Sequence, residues 1–446
     1  MADGEVAAAR PAPRSLGLER ALEQLALLGV LTHAAFLPIS VAGMQIGLAL
    51  ALAALLGLRL AGRPVWAHSG LDLPCLLFCG AAVASLALGT LGGSPPVGWH
   101  EATLWRSLLS PLVVVSAMEV GGARTGRPST EPRRLALLAL TVWACAALVP
   151  SVVAWLQFLT GFDPLHALGL RRETVHAVVP VYPEHYAAVG FFRWYQRLAH
   201  NLLPPLCVAA AVALHGRVGR RQRALFLVAS LGAAAAVVLT LSRAAWVTLL
   251  LAGFVVLVLG RSTRRWALPL TLATALAMTL HPGVRVRIAW LVENKGYDIN
   301  RDREAIWKVC RAVVSDHPLT GVGFGNLPVR SIPYYERLAP EGKLRAWCHD
   351  SFLTAWAEGG PLLCAALLAY WLLLLLLFWR SFRRSGEALP RAAALGGLAG
   401  VIAMFATSFV HDTLYASEAA YGLGFAVAIA VVLARSQGPA GATGDP

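Results

Sequence analysis

The chain has 446 residues, 57% of them hydrophobic and 14% charged, with a mean hydropathy of +0.62. So few charges exclude an ordinary soluble protein of this length, and apolar runs recurring near the roughly 20-residue bilayer span indicate a polytopic membrane protein. The formal charge of +14 does not imply nucleic acid as a partner, because much of it sits in short Arg-rich connectors between apolar runs.

Residues 1–17 are polar and rich in Ala and Pro, lack the apolar core and cleavage site of a signal peptide, and read as a disordered cytoplasmic tail. Apolar spans follow at about 21–39, 41–60, 71–91, 104–120, 134–157 and 200–216. The second half continues with spans at about 224–242, 244–260, 266–281, 351–379, 392–410 and 417–434. The fold expected is therefore all-α, with about twelve transmembrane helices over residues 18–434 and a short cytoplasmic tail at 435–446.

Arginines orient the chain. Arg59 and Arg63 follow the second span, Arg124, Arg127, Arg133 and Arg134 the fourth, and Arg217, Arg220, Arg221 and Arg223 the sixth. Arg261, Arg264 and Arg265 follow the eighth, Arg380, Arg383 and Arg384 the tenth, and Arg435 the last. Every even-numbered exit is basic, which puts those connectors and both termini in the cytoplasm and the other connectors on the exported side. Two exported loops are long, 158–199 and 282–350. Both contain Arg or Lys, as long loops are free to do.

Asn300–Asn326, NRDREAIWKVCRAVVSDHPLTGVGFGN, is the most polar long run in this lipid-soluble chain. Its first half reads as a short amphipathic helix with Ile306, Val309 and Val313 on one side. Its second half is a Pro/Gly turn through Pro318, Gly321, Gly323 and Gly325, which frees the backbone to bend and to approach a ligand closely. No strand precedes these glycines, so they do not form a dinucleotide-binding fingerprint. Cys310 and Cys348 fall in the same exported loop, where a disulfide and a pair of buried free thiols are both open readings. The other cysteines lie in or beside apolar spans and read as small hydrophobes.

Three blocks carry a resemblance. Arg303-x-x-x-Trp307 followed by Asp316-His317-Pro318-Leu319-x-Gly321-x-Gly323-x-Gly325-Asn326 resembles the O-antigen ligase and polymerase (Wzy-C) family. Ser242-Arg243 looks like its helix-terminal Ser-Arg. His349-Asp350-Ser351-Phe352-Leu353, leading to Glu358-Gly359-Gly360, looks like its His-Asn-x-x-Leu segment, with Asp350 where the family usually has Asn. The resemblance covers roughly residues 195–380. It implies a GT-C-like membrane glycosyltransferase that inverts the anomeric centre. The donor would be a glycan on undecaprenyl diphosphate, and the acceptor lipid A–core for a ligase or another lipid-linked glycan for a polymerase.

Arg243 ends one apolar helix and nearly begins the next, where it either snorkels to the interface or is kept for an anionic ligand. A short exported turn should avoid Arg, which favours the ligand. Ser242 is a second ligand contact or a helix-end hydroxyl. One helical turn separates Arg303 from Trp307, so its guanidinium can lie over the indole, pair with Glu304 or Asp302, or bind the ligand, for which Arg301 is its rival. His349 stands where the exported loop meets a helix and is suited to proton transfer near neutral pH, or else to one backbone hydrogen bond. His200 and His411 compete for that role, and Asp350 or Glu358 are candidates to orient the histidine.

These residues suit one chemistry. Arg243 and Arg303 would bind diphosphate oxygens and stabilise the leaving group, while His349 takes the proton of an attacking sugar hydroxyl. Arg301, Ser242, Trp307, His200 and Asp350 complete the candidate substrate contacts. No metal-type spacing, Walker motif or Gly-x-Ser-x-Gly elbow is present, so neither a metal nor another cofactor is expected. A transporter or flippase is the rival class, opposed by the shortage of ionisable residues inside the spans: His33 lies well inside one and Glu119 at a cytoplasmic end. A scaffold role for the exported loops is a third reading.

Overall fold

The computed structural model describes residues 13–93, 104–122, 131–170, 186–292, 297–340 and 347–435. The tail residues 1–12 and 436–446, Arg124, Arg127 and residues 171–185 of the first long loop lie outside the described residues. The first helix begins at Pro13, inside the stretch expected as tail.

The architecture is all-α. Helices α1 (Pro13–Phe36) and α2 (Val41–Leu60) form a closely packed hairpin, followed by α3 (Asp72–Leu91), α4 (Leu104–Gly122) and α5 (Glu131–Thr160). A single turn, α6 (Pro164–Ala167), precedes α7 (Tyr195–His215), α8 (Arg220–Leu239), α9 (Arg243–Leu259) and α10 (Ala267–Leu280). The second long loop is itself helical: α11 (Pro282–Val292), α12 (Tyr297–Asp316), α13 (Leu327–Arg330) and α14 (Ile332–Leu338). Three helices close the chain, α15 (Ser351–Arg384), α16 (Ala388–Thr407) and α17 (Ser417–Ala434).

Each expected apolar span lies in one of these helices. Eight are long and apolar enough to cross a membrane: α2, α3, α5, α7, α8, α15, α16 and α17. Ser107–Gly121 and α9 are apolar but shorter. α10 has 14 residues, about 21 Å of helix against a hydrocarbon core of roughly 30 Å. α1 carries Glu19, Arg20 and Glu23 in its first turns. Expecting a uniform set of about twelve spans overlooks this unevenness.

α17 is the hub, with 94% of its apolar window buried. α4, α7 and α16 pack around it, and α15 joins α16 to α3. Two of the ionisable groups in the spans, His33 and Glu119, have structural partners. His33 Nδ1 bonds the Met44 carbonyl at 2.8 Å, tying α1 to α2, and its ring meets Tyr421 edge-on. Glu119 pairs with Arg435.

The Gly-rich turn has a structural task. α15 is broken at Gly360, whose φ is +62°, freeing carbonyls that need new donors. Val322 N–H donates to Ala357 O at 2.9 Å, Gly323 N–H to Glu358 O at 2.8 Å, and Ser85 Oγ also to Glu358 O at 3.0 Å. Gly321, Gly323 and Gly325 all have positive φ. A Cβ on Gly321 would collide with the Glu358 backbone, and one on Gly360 with the Leu319 carbonyl. The close approach foreseen for these glycines is therefore to α15.

Candidate functional site

One end of the bundle collects the polar residues that the sequence scattered. It is formed by the start of α7, the α8–α9 turn, α12, the residues before α15, and the α16–α17 connector. The opposite end holds Arg–Glu pairs: Arg63–Glu19, Arg133–Glu387 and Arg435–Glu119.

The α8–α9 turn is only Thr240 to Ser242. Leu241 sits at φ +55°, a strained position for a branched side chain. Thr240 Oγ1 donates to Val237 O at 2.6 Å, and Trp246 Nε1 donates to Val238 O at 2.9 Å, locking the two helices together. Ser242 caps α9, its Oγ accepting from Ala245 N–H at 3.5 Å. That employs Ser242 as a helix-end hydroxyl and leaves Arg243 as the first residue of α9, half-buried.

α12 buries Ile306, Val309 and Val313 against Val322, Leu327, Tyr335 and Ala357, as the amphipathic pattern requires. Cys310 of this helix is bonded to Cys348, with Cα atoms 6.0 Å apart, so the disulfide is the alternative realised. Trp307 Nε1 donates to Cys348 O at 3.1 Å. Arg303 points across to the α16–α17 connector, where Nη2 donates to Val410 O at 3.4 Å, and among the described residues it neither stacks on Trp307 nor pairs with Glu304. Arg301 is one of the α12 residues whose side chains lie outside the described set.

His349 is the other non-glycine residue with positive φ among those described, at +53°. Two anchors hold it. Asp350 caps α15, accepting from Phe352 N–H at 2.9 Å and Leu353 N–H at 3.0 Å. An Asn carbonyl would cap equally well, so the departure from the usual family residue leaves this task intact. Behind it, Asp412 Oδ2 accepts the His349 N–H at 2.8 Å, and its Oδ1 accepts from Thr354 Oγ1 at 2.5 Å. Thr354 Oγ1 in turn accepts from Cys348 N–H at 3.1 Å. Asp412, from the far connector, thus fixes the His349 backbone. Glu358 lies buried at the α15 kink beside Tyr415.

Three imidazoles line up. The His411 ring lies 5.2 Å from that of His200 and 6.2 Å from that of His349. His200 is buried on α7, and its Nε2 has no hydrogen-bond partner among the described residues. Burial, then the charges of His200, Arg303 and His349, hold His411 well below the usual histidine range. Burial pushes Asp412 up to about 7 and raises Asp350 above its ordinary value. Arg303 is lowered by burial first and by Arg243 second, with Tyr195 and Asp412 opposing. The two guanidinium groups are therefore close enough to repel each other. Among the described residues neither makes an ion pair.

Two arginines that repel each other and have no carboxylate partner among the described residues, bordered by histidines, suit a multiply charged anion beside a proton acceptor. Residues 224–368, 145 of the chain's 446, match the family model described as O-antigen ligase. This segment is similar to the O-antigen ligase family. Members of that family are membrane glycosyltransferase-like enzymes. No curated protein matches the chain.

The O-antigen ligase segment runs from α8 into α15 and holds Arg243, Arg303 and His349. His200, His411 and Asp412 come from helices and connectors outside it. The sequence presented His200 and His411 as rivals of His349, whereas the fold brings all three together. It gave no role to Asp412, although a carboxylate in a short connector free of Lys and Arg was a usable signal.

Proposed function

We propose that this chain is a membrane glycosyltransferase that moves a glycan from undecaprenyl diphosphate to the lipid A–core of lipopolysaccharide. One observation carries the reading: at the end of the bundle that holds His349, Arg243 and Arg303 lie close enough for Arg243 to disfavour the charge on Arg303, and among the described residues neither has a carboxylate partner. Repulsion between them is relieved when a diphosphate binds, and each guanidinium can take two phosphate oxygens.

In this mechanism an acceptor hydroxyl attacks the anomeric carbon of the donor sugar. His349 accepts the hydroxyl proton as the new C–O bond forms. The bond from the sugar to the diphosphate breaks, and the lipid diphosphate leaves with its added negative charge held by Arg243 and Arg303. The energy is already stored in the sugar–phosphate bond, so the scheme draws on no nucleotide. Both termini would be cytoplasmic and the site periplasmic. The resemblance to the family supplies the identity of donor and acceptor, inversion at the anomeric carbon and a GT-C-like fold.

Purified protein incubated with undecaprenyl-diphosphate glycan and lipid A–core, with chelator and without nucleotide, tests the proposal. A glycan-bearing core is the expected product. Longer lipid-linked chains with no core product would make the enzyme a polymerase, and neither product from folded protein would return the transporter reading. In a deletion strain, a ligase leaves lipid-linked polymer and unmodified core, whereas a polymerase leaves core capped by a single repeat.

A further inference from the structure

At the end of the bundle opposite His349, α3, α15 and α17 diverge around a cavity of about 510 Å³. Its walls change character with depth. Along α15, Leu373 and Leu377 form the side toward the middle of the helix, and Arg380 and Arg384 the side toward its end, with Arg435 from the end of α17 beside them. Arg380 and Arg384 lie one turn apart on α15, exposed, and make no ion pair among the described residues. The carboxylates nearby in the fold are otherwise engaged. Glu119 pairs with Arg435, and Asp72 accepts from Ser69 N–H at 3.0 Å and Trp66 Nε1 at 2.8 Å.

Leu376 lines this cavity and also a second one, of about 500 Å³, between α9, α15 and α16, whose lining is wholly apolar. Trp379 stands in that groove, 43% exposed, with the Arg383 guanidinium 5.9 Å from its ring centre. A Trp and Arg pair of this kind marks the membrane–water boundary. The two cavities share Leu376, so cationic groups line one side of that residue and a wholly apolar groove lies on the other.

We infer that this cavity is a binding site for an anionic phospholipid, with its phosphate on Arg380 and Arg384 and an acyl chain passing Leu376 into the apolar groove. Charge complementarity selects the headgroup, since basic pockets between membrane helices hold anionic lipid headgroups. A free phosphate would satisfy the arginines but leave the leucine wall uncovered, and a zwitterionic lipid would not neutralise the pair. The site lies at the other end of the molecule from Arg243 and His349, so the inference is independent of the transferase reading.

Native mass spectrometry of the full chain in neutral detergent tests it, with phosphatidylglycerol and phosphatidylcholine of identical acyl chains as probes. The wild type should retain phosphatidylglycerol preferentially. The double variant Arg380→Gln/Arg384→Gln should bind it on the order of tenfold more weakly or worse, and Arg380→Lys/Arg384→Lys should recover much of the loss. The control Arg220→Gln/Arg221→Gln removes two exposed charges from the same end, at the start of α8, and should bind as the wild type does. Equal retention of the two lipids would overturn the inference, as would unchanged binding by the Gln pair or an equal loss in the control. Thermal melting of each variant separates lost binding from lost folding.

Discussion

Asp412 accepts the backbone N–H of His349 at 2.8 Å from a connector 63 residues further along the chain, while His349 stands at φ +53°. A histidine in the left-handed region is strained by roughly 1–3 kcal/mol and persists only where its surroundings over-determine it. Here the surroundings are Asp412, the Asp350 cap and the disulfide one residue earlier. The strain aims a side chain, and it sits where the transfer chemistry is proposed.

His349→Ala should lower the transfer rate by about 10²–10⁴-fold, the usual contribution of a general base, with the melting temperature near that of the wild type. Wild-type turnover in a folded His349→Ala protein would reassign the base, and His411→Ala and His200→Ala are the variants to assay next.

Removing either arginine should cost on the order of 10²–10³-fold in kcat/KM, as loss of a fixed charge at a leaving group does. Arg243→Lys and Arg303→Lys should recover only part of that, because an ammonium keeps the charge without the two-pronged geometry. Full recovery by Lys would argue for simple charge attraction in place of bidentate binding.

Asp412→Asn replaces one of two acceptors with a donor and should lower kcat through misplacement of His349, leaving KM for the donor lipid little changed. It should also alter the pH dependence of stability. The folded-state pKa of Asp412 is raised to about 7 from 3.8, so the folded protein binds an extra proton between those values. Its contribution to stability is complete below about pH 4 and is lost as pH rises through about 7. His411, lowered by burial, works in the opposite sense below its ordinary pKa, and Arg303, His349 and Asp350 also face the pair. The useful measurement is therefore the difference between wild type and Asp412→Asn, melted across pH 4 to 8. The wild type should lose ground to the variant as pH rises, and a flat difference would contradict the burial argument.

The Cys310–Cys348 bond closes a loop of sequence separation 38 and ties α12 to the residue before His349. Its reduction, or Cys310→Ser/Cys348→Ser, should destabilise the protein by roughly 2–4 kcal/mol and depress transfer by loosening Arg303 relative to His349. Alkylation of both thiols in folded, unreduced protein would show that the bridge does not form.

Gly321→Ala should destabilise the fold without touching the site directly. Its φ is +61° and the added methyl meets the Glu358 backbone, so the turn must withdraw from the α15 kink and leave two carbonyls short of donors. A loss of roughly 1–3 kcal/mol in stability is expected. Unchanged melting would mean that the turn does not wedge the kink.

The sequence by itself determined the apolar helices, and its arginines supplied an expectation of which side the loop around Arg303 faces. Apolar run length and arginine placement are local properties, and a helix satisfies its own backbone in lipid without help from distant residues. It also supplied Arg243, Arg303 and His349 as candidates, each with an ordinary reading beside the functional one. Tertiary structure decided what those boundaries face. Only packing around α17 brings His200 and His411 to His349, turns Arg303 away from Trp307 towards Val410, and sets Asp412 beneath a histidine 63 residues earlier. Only packing assigns the glycine turn to a helix kink. Those relationships join segments far apart in sequence, and no periodicity or spacing in the chain encodes which helix ends will meet.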